Sequence, residues 1–226
     1  MDNYVRILTV ISLLIFLVMI PLALLTGVPG FIPDIVFFMV LVLFYYWTYD
    51  AFRNNMPIFT LLVIGHLLHA CGIFGWYNIS PVPIQWDHLT HFFGTLPFAL
   101  LFFRWAGQWM DAKFLTKKNL LLVIVVFFAA MGVGAMVELI EFLGYLSLGF
   151  GEGALMFGTG DGIAGLGGTD LIDALGGGWI NEGWDFVFNT FGILSGMFLM
   201  IILKIINRKP QKAYYYVPIE SYSKKI

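Results

Sequence analysis

A polytopic, all-α helix bundle of the membrane, with six transmembrane helices and both termini cytoplasmic, is the architecture the sequence predicts. Three observations lead there. Of 226 residues, 60% are hydrophobic and only 12% charged, whereas a soluble domain carries about 25% charged residues to keep its surface hydrated. Six stretches are apolar over a bilayer-crossing length, which for a helix is roughly 20 residues. All 12 lysines and arginines fall on one side of a six-span threading.

The first span runs from Ile7 to about Thr26 with Pro21 inside it. Its apolar run exceeds the roughly 7–15 residues of a signal-peptide core and no small-x-small cleavage site follows, so it is read as a retained helix. The second, Ile35 to about Tyr49, ends in Tyr45, Tyr46, Trp47 and Tyr49, side chains suited to the headgroup level. The third is Ile58 to Tyr77, the fourth Leu89 to Trp105, the fifth Leu120 to about Leu143 or beyond, and the sixth Phe186 to Ile206. Pro21 is taken as the one interruption of a span, and no internal repeat is visible; both weigh against the inverted repeats and broken helices of secondary transporters. Residues 1–206 form one membrane domain with a glycine-rich extracytoplasmic loop at 149–183, and residues 207–226 form a cytoplasmic tail.

Arg6 precedes the first span and Arg53 lies between the second and third. Arg104, Lys113, Lys117 and Lys118 flank the loop between the fourth and fifth, and the remaining six basic residues, beginning at Lys204, close the chain. The Lys/Arg excess marks the cytoplasmic side, so the expected location is the plasma (inner) membrane, crossed several times. The opposite loops hold no basic residue but carry Asp34, Asp87, Glu152, Asp161, Asp170, Asp173, Glu182 and Asp185; such a face attracts cations. A net charge of −2 without a basic domain argues against nucleic acid as a partner. Cys71 is the only cysteine, so no disulfide closes within the chain.

Ionisable groups inside a bilayer cost about 2.5–3.5 kcal/mol each on insertion scales, and are usually turned into the bundle and functional. Four of the spans carry such groups in pairs, all in the outer half of the membrane. His66 and His69 lie on the third span, Asp87 and His91 on the fourth, Glu138 and Glu141 on the fifth, and Asp185 and Asn189 on the sixth. Spacings of three or four put both members of a pair on one helix face. Small residues extend the same faces: Ala130 and Gly134 below Glu138, Gly192 and Gly196 after Asn189, Gly65 and Gly72 beside His69. Small residues let membrane helices approach closely, so these faces, with their polar groups, should meet at the bundle axis.

Imidazoles and carboxylates on facing helices are how bundle cores build metal sites, and this donor set suits zinc or manganese. The same groups serve general acid–base catalysis or a proton relay. Asp87, Glu138 and Asp185 are the candidate catalytic groups, and Asp87, His91, Glu138, Glu141 and Asp185 the candidate metal ligands. Asn189, His69, His66, His88 and Asp161 are expected around them. Plainer readings stand beside each: His66 as a core histidine bonded to a carbonyl, His88 as an interfacial residue, Glu141 as a solvated helix end, Asp185 as an N-cap.

Residues 149–183 contain 13 glycines with Asp161, Asp170 and Asp173 among them. Neither an EF-hand nor a P-loop spacing is present. The segment reads either as an acidic mobile loop or as a flap over the polar site, since it joins the fifth and sixth spans.

Trp86-Asp87-His88-Leu89-Thr90-His91-Phe92-Phe93-Gly94, Val137-Glu138-Leu139-Ile140-Glu141, Gly158-Thr159-Gly160-Asp161 and Trp184-Asp185 followed by Asn189 and Gly192 resemble the motifs of YjdF-type inner-membrane proteins. More distantly the order is similar to that of VanZ-like membrane proteins. The likeness spans roughly residues 60–200. It implies a polytopic membrane protein marked by Asp87, His91, Glu138, Glu141, Asp185 and Asn189. It supplies no reaction; the association of VanZ-like members with glycopeptide resistance points toward the envelope and its lipids. Three functions stay open on the residues. One is a metal- or acid–base-dependent enzyme, a membrane-embedded hydrolase or transferase acting on a lipid or envelope substrate. The others are a cation or small-solute transporter or channel and a non-catalytic structural or regulatory membrane subunit.

Overall fold

The structure, a computed structural model, describes residues 3–77, 80–113, 115–148 and 177–206, with side chains up to 143 in the fifth helix and from 182 in the sixth. Asp161, Asp170, Asp173, most of the glycine-rich segment and the tail at 207–226 lie outside the described residues.

Among the described residues six α-helices follow one another: α1 (Asn3–Leu25), α2 (Ile32–Trp47), α3 (Met56–Cys71), α4 (Trp86–Ala106), α5 (Lys117–Leu148) and α6 (Gly177–Ile206). There is no strand among the described residues. Five of them (α1, α2 with the turn before it, α3 with the turn after it, α5 and α6) are long and apolar enough to cross a membrane. The exception is α4, expected as the fourth span. Its sequence is diluted by Asp87, His88, Thr90, His91 and Thr95. Yet α4 is the hub of the bundle, packed on α3, α5 and most extensively α6. Those polar residues, all but the half-buried His88, are hidden by neighbouring helices rather than turned to lipid, which is how a membrane bundle tolerates them.

Helix ends follow local chemistry. Asn55 caps α3, its side chain accepting from the Ile58 amide at 3.1 Å, with a proline in the first turn where no amide partner is needed. Before it the chain reverses through Arg53, whose φ is +50°. Beyond α3 the chain widens into a π turn, Gly72–Trp76, and Gly75 at φ +111° carries the break, a value that only glycine reaches without strain. The Trp86 indole N–H donates to the Leu68 carbonyl at 2.9 Å, pinning the start of α4 to α3.

Three expectations need correction. Helix α6 begins at Gly177, not near Phe186; its glycines lower helix propensity by about 1 kcal/mol each but do not stop the helix. Pro21 is not the only interruption of a span: Pro97 lies inside α4, and the π turn breaks the third span before Tyr77. Because α6 starts early, Asp185 sits in its interior and is not its N-cap.

Two apolar clusters form the core. The larger joins α1 to α4 through Phe16, Ile35, Phe38, Phe59, Leu62 and Leu100. The smaller joins α4, α5 and α6 through Ala99, Phe103, Val126, Ala130, Ile193 and Met197. Leu14, Val18, Phe128, Leu139 and Phe198 point out of the bundle, where acyl chains replace water as their solvent. The small-residue faces do meet. A Cβ on Gly192 would overlap the Phe92 carbonyl, and one on Gly196 would lie 2.8 Å from the Leu96 carbonyl, so α6 lies with its backbone against α4.

Candidate functional site

Asp87 and His91 are one turn apart on α4, and the carboxylate Oδ1 lies 3.3 Å from the imidazole Nε2. From α6, Asp185 Oδ1 comes within 3.7 Å of the same nitrogen. On the other side of the ring, Glu138 of α5 brings Oε1 to 3.3 Å from Nδ1. Asn189 of α6 donates from Nδ2 to Glu138 Oε1 at 3.3 Å. Gly134 makes room for that amide, since a Cβ there would lie 2.7 Å from Nδ2. The Thr95 hydroxyl is 2.9 Å from the His91 carbonyl and 3.1 Å from that of Asn189, tying the two functional turns together.

The cluster is closed off: Asp185 and Asn189 have no exposed surface, Asp87 and Glu141 are 2% exposed, Glu138 5% and His91 6%. Among the described residues the one lysine–carboxylate pair is Lys118 with Asp111, between α4 and α5. Four buried carboxylates surround one imidazole. Among the described residues Asp87 Oδ2, Glu138 Oε2 and Asn189 Oδ1 have no hydrogen-bond partner. Burying anionic oxygens without a donor costs several kcal/mol per ion, a cost that protons or a cation shared among these oxygens would offset.

A divalent ion fits the donors. Asp87, His91 and Asp185 each offer a ligand atom within 4.8 Å of the others, and so do His91, Glu138 and Glu141. His91 belongs to both sets, with Nε2 toward Asp87 and Asp185 and Nδ1 toward Glu138. In metal sites a ligating imidazole almost always donates its second N–H to a carboxylate or carbonyl, and Glu138 stands where that acceptor belongs.

The other expected residues lie around this centre. His69 is on α3, its Nδ1 facing the Tyr77 hydroxyl at 2.5 Å, within electrostatic reach of Asp87 and His91. His66 is further along α3, its Nε2 3.0 Å from the Tyr45 hydroxyl and its ring between Phe38 and Tyr45; its bonding partner is a side chain, not a carbonyl. His88 is not drawn into the cluster; its ring stacks on Phe188, centroids 4.3 Å apart. Asp161 lies outside the described residues.

Glu182 went unrecognised as a site residue. Half-buried on α6, its side chain approaches Glu138 and interacts with His91 and Asp87. The signal was there: Glu182 precedes Asp185 by three residues, a same-face spacing, but it counts only if the helix extends that far back.

Fold and cluster together define a polytopic helical membrane protein, embedded in the lipid bilayer, with a buried His/carboxylate group among its helices. The chain belongs to the family described as Predicted membrane protein (DUF2238), whose model matches residues 4–209. No curated protein and no solved structure matches it.

Proposed function

We propose that this is a membrane-embedded enzyme of the plasma (inner) membrane, a hydrolase or transferase. Its cluster would hold one divalent cation, zinc or manganese, and act on a lipid or envelope substrate from the outer leaflet. The observation that carries this reading is the convergence on His91 of buried carboxylates from three helices, Asp87, Asp185 and Glu138, with Glu141 beside them. The resemblance to YjdF-type and VanZ-like proteins supports the envelope as the setting.

Asp87, His91 and Asp185 would hold the ion. Glu138 would accept the His91 Nδ1 proton, with Asn189 orienting the carboxylate. The ion would supply Lewis-acid polarisation of a phosphoryl or ester oxygen. Glu141 and Glu182 remain as groups for moving a proton on the α5–α6 side.

The test is a thermal melt of purified protein in detergent with added zinc or manganese. At about 100 times its dissociation constant a specific ligand stabilises the folded state by about 2.7 kcal/mol. The expected result is an ion-dependent rise in the melting temperature that is lost in Asp87→Asn and Asp185→Asn and kept in His88→Ala. An equal response in all four proteins, or none in any, contradicts the reading.

A second reading, a cation carrier using the same ligands, is favoured by the break at Gly75 and by Pro97 inside α4, since interrupted helices are common at transport sites. Vesicle uptake of the stabilising ion, driven by a proton gradient and absent in Asp185→Asn, would select it.

A further inference from the structure

Beside the cluster lies a chamber of about 290 Å³, walled by α2, α3, α4 and α5. Its wall follows α4 from Thr90 to Phe98 and α2 from Phe37 to Tyr45, in each case about 12 Å of helix at 1.5 Å per residue. His91 and Asn189 form part of the lining, so the chamber begins at the polar site. Its volume is roughly twice the ~150 Å³ of an apolar cavity that stays dry and admits a benzene ring.

Most polar side chains on its wall are paired, and only His69 Nε2 and Asn189 Oδ1 are without a hydrogen-bond partner among the described residues. The Tyr45 hydroxyl pairs with His66 and the Tyr77 hydroxyl with His69. Thr90 bonds the Asp87 carbonyl and Thr95 the carbonyls of His91 and Asn189. What faces the lumen is mainly hydrocarbon. Water there would find few partners, and a buried water needs about three hydrogen bonds.

The chamber also has a side opening. Phe37 and Phe44 of α2 and Met136 of α5, all in its lining, are 40%, 43% and 56% exposed on the outside of the bundle. Among the described residues α2 and α5 are not a packed pair. The gap between two membrane-spanning helices opens onto the hydrocarbon of the bilayer, not onto water.

We propose that the chamber binds the hydrocarbon chain of a membrane lipid, which slides in sideways between α2 and α5 and brings the polar end of the molecule to His91. The inference rests on the proposed function for the site at that end, and names its substrate class: a lipid with an acyl or isoprenyl chain and a phosphoryl or ester linkage near the headgroup. The chain lies inward along α4 toward Phe98, and the linkage lies level with Asp87 and His91.

Gly94 supplies the test. It lines the chamber, and a Cβ placed on it meets nothing within 4 Å, so Gly94→Leu fills the lumen without a backbone clash. Val133→Phe, from α5, fills it independently. Purified protein is reconstituted in phosphatidylethanolamine–phosphatidylglycerol vesicles with a trace of photoactivatable lipid. One arm uses phosphatidylglycerol with a diazirine in its acyl chain, the other a polyprenyl phosphate with a diazirine in its chain. In at least one arm, label should concentrate on Leu41, Val133 and Val137 over the outward Leu14 and Val18 of α1. It should fall at least about tenfold in both filled variants, the factor that corresponds to 1.4 kcal/mol, with α1 labelling unchanged.

Equal labelling of chamber and α1 in both arms overturns the inference, as does labelling that the variants leave intact. Cross-linking of the chamber to a second copy would also overturn it, because another protomer would then be its cover. The ion-dependent melt is run on the same samples. An ion response without chamber labelling sinks the chamber alone, and chamber labelling without an ion response sinks the metal reading alone.

Discussion

His91 carries more of the site than any other side chain, because each of its ring nitrogens meets a carboxylate from a different direction. Replacing it separates two roles. His91→Ala removes the contact common to Asp87, Asp185 and Glu138, and should abolish ion-dependent stabilisation. Glu138→Gln keeps an oxygen acceptor for Nδ1 and should weaken ion affinity by about 10- to 100-fold, the usual effect of losing a ligand's orienting partner; titration melts read both. A second residue-scale prediction concerns Gly192. Any side chain there meets the Phe92 carbonyl and Thr95, so Gly192→Val should cost about 1–3 kcal/mol as overpacking, read as a lower melting temperature, while Gly94→Ala should leave it unchanged. At this scale the sequence was informative for a physical reason. Asp87, His91, Glu138 and Asp185 are expensive in a bilayer, so their convergence could be expected from cost alone. Glu182 escaped because the glycines before it read as loop and left it no helix face to share.

Among the elements, α4 shows why apolarity is an imperfect guide to a span. Its polar residues lower its hydropathy, yet all of its neighbours pack on it. The loop that follows is organised by one side chain. Asn119 accepts from the Asp111 amide at 2.8 Å and donates to the Asp111 and Lys113 carbonyls at 3.1 and 2.9 Å. Asn119→Ala should cost about 0.5–1.5 kcal/mol, the net worth of a hydrogen bond to partly solvated backbone groups, and should raise amide exchange across 110–119. The Asp111 carboxyl in this loop is held below its ordinary 3.8 chiefly by the Thr116 hydroxyl and then by Lys118. A lowered value means that the carboxylate's contribution is present above about 3.8 and lost as pH falls through the folded value. Protection of the loop amides, taken relative to their intrinsic exchange rate at each pH, should therefore fall on acidification from about pH 5 to 3, and fall less in Thr116→Val; an equal response in both removes Thr116 from the account. The π turn at Gly75 and the tolerance of Pro97 were not legible, since both depend on packing from neighbouring helices. The chamber was not legible either: Phe37, Leu41, Gly94 and Val133 come from three helices and share no spacing that singles them out.

For the whole molecule, the segregation of all 12 basic residues to one side predicts the threading. Reporter fusions at residue 112 and at the C-terminus should be active only in the cytoplasm, and cysteines placed at Ser80 or Val82 should react with an impermeant thiol reagent from outside; the reverse pattern would invert the protein. In that orientation the acidic outer face would gather cations above the His91 carboxylate cluster. The chamber lies alongside in the hydrocarbon, so ion and lipid would arrive by separate routes. The most direct measurement of the central claim is anomalous X-ray scattering at the zinc and manganese edges, on crystals grown with the stabilising ion. The account predicts one peak, about 2.0–2.2 Å from His91 Nε2 and bonded to carboxylate oxygens of Asp87 and Asp185. No peak at the cluster while those side chains keep their contacts, or an ion bound only elsewhere, would contradict it.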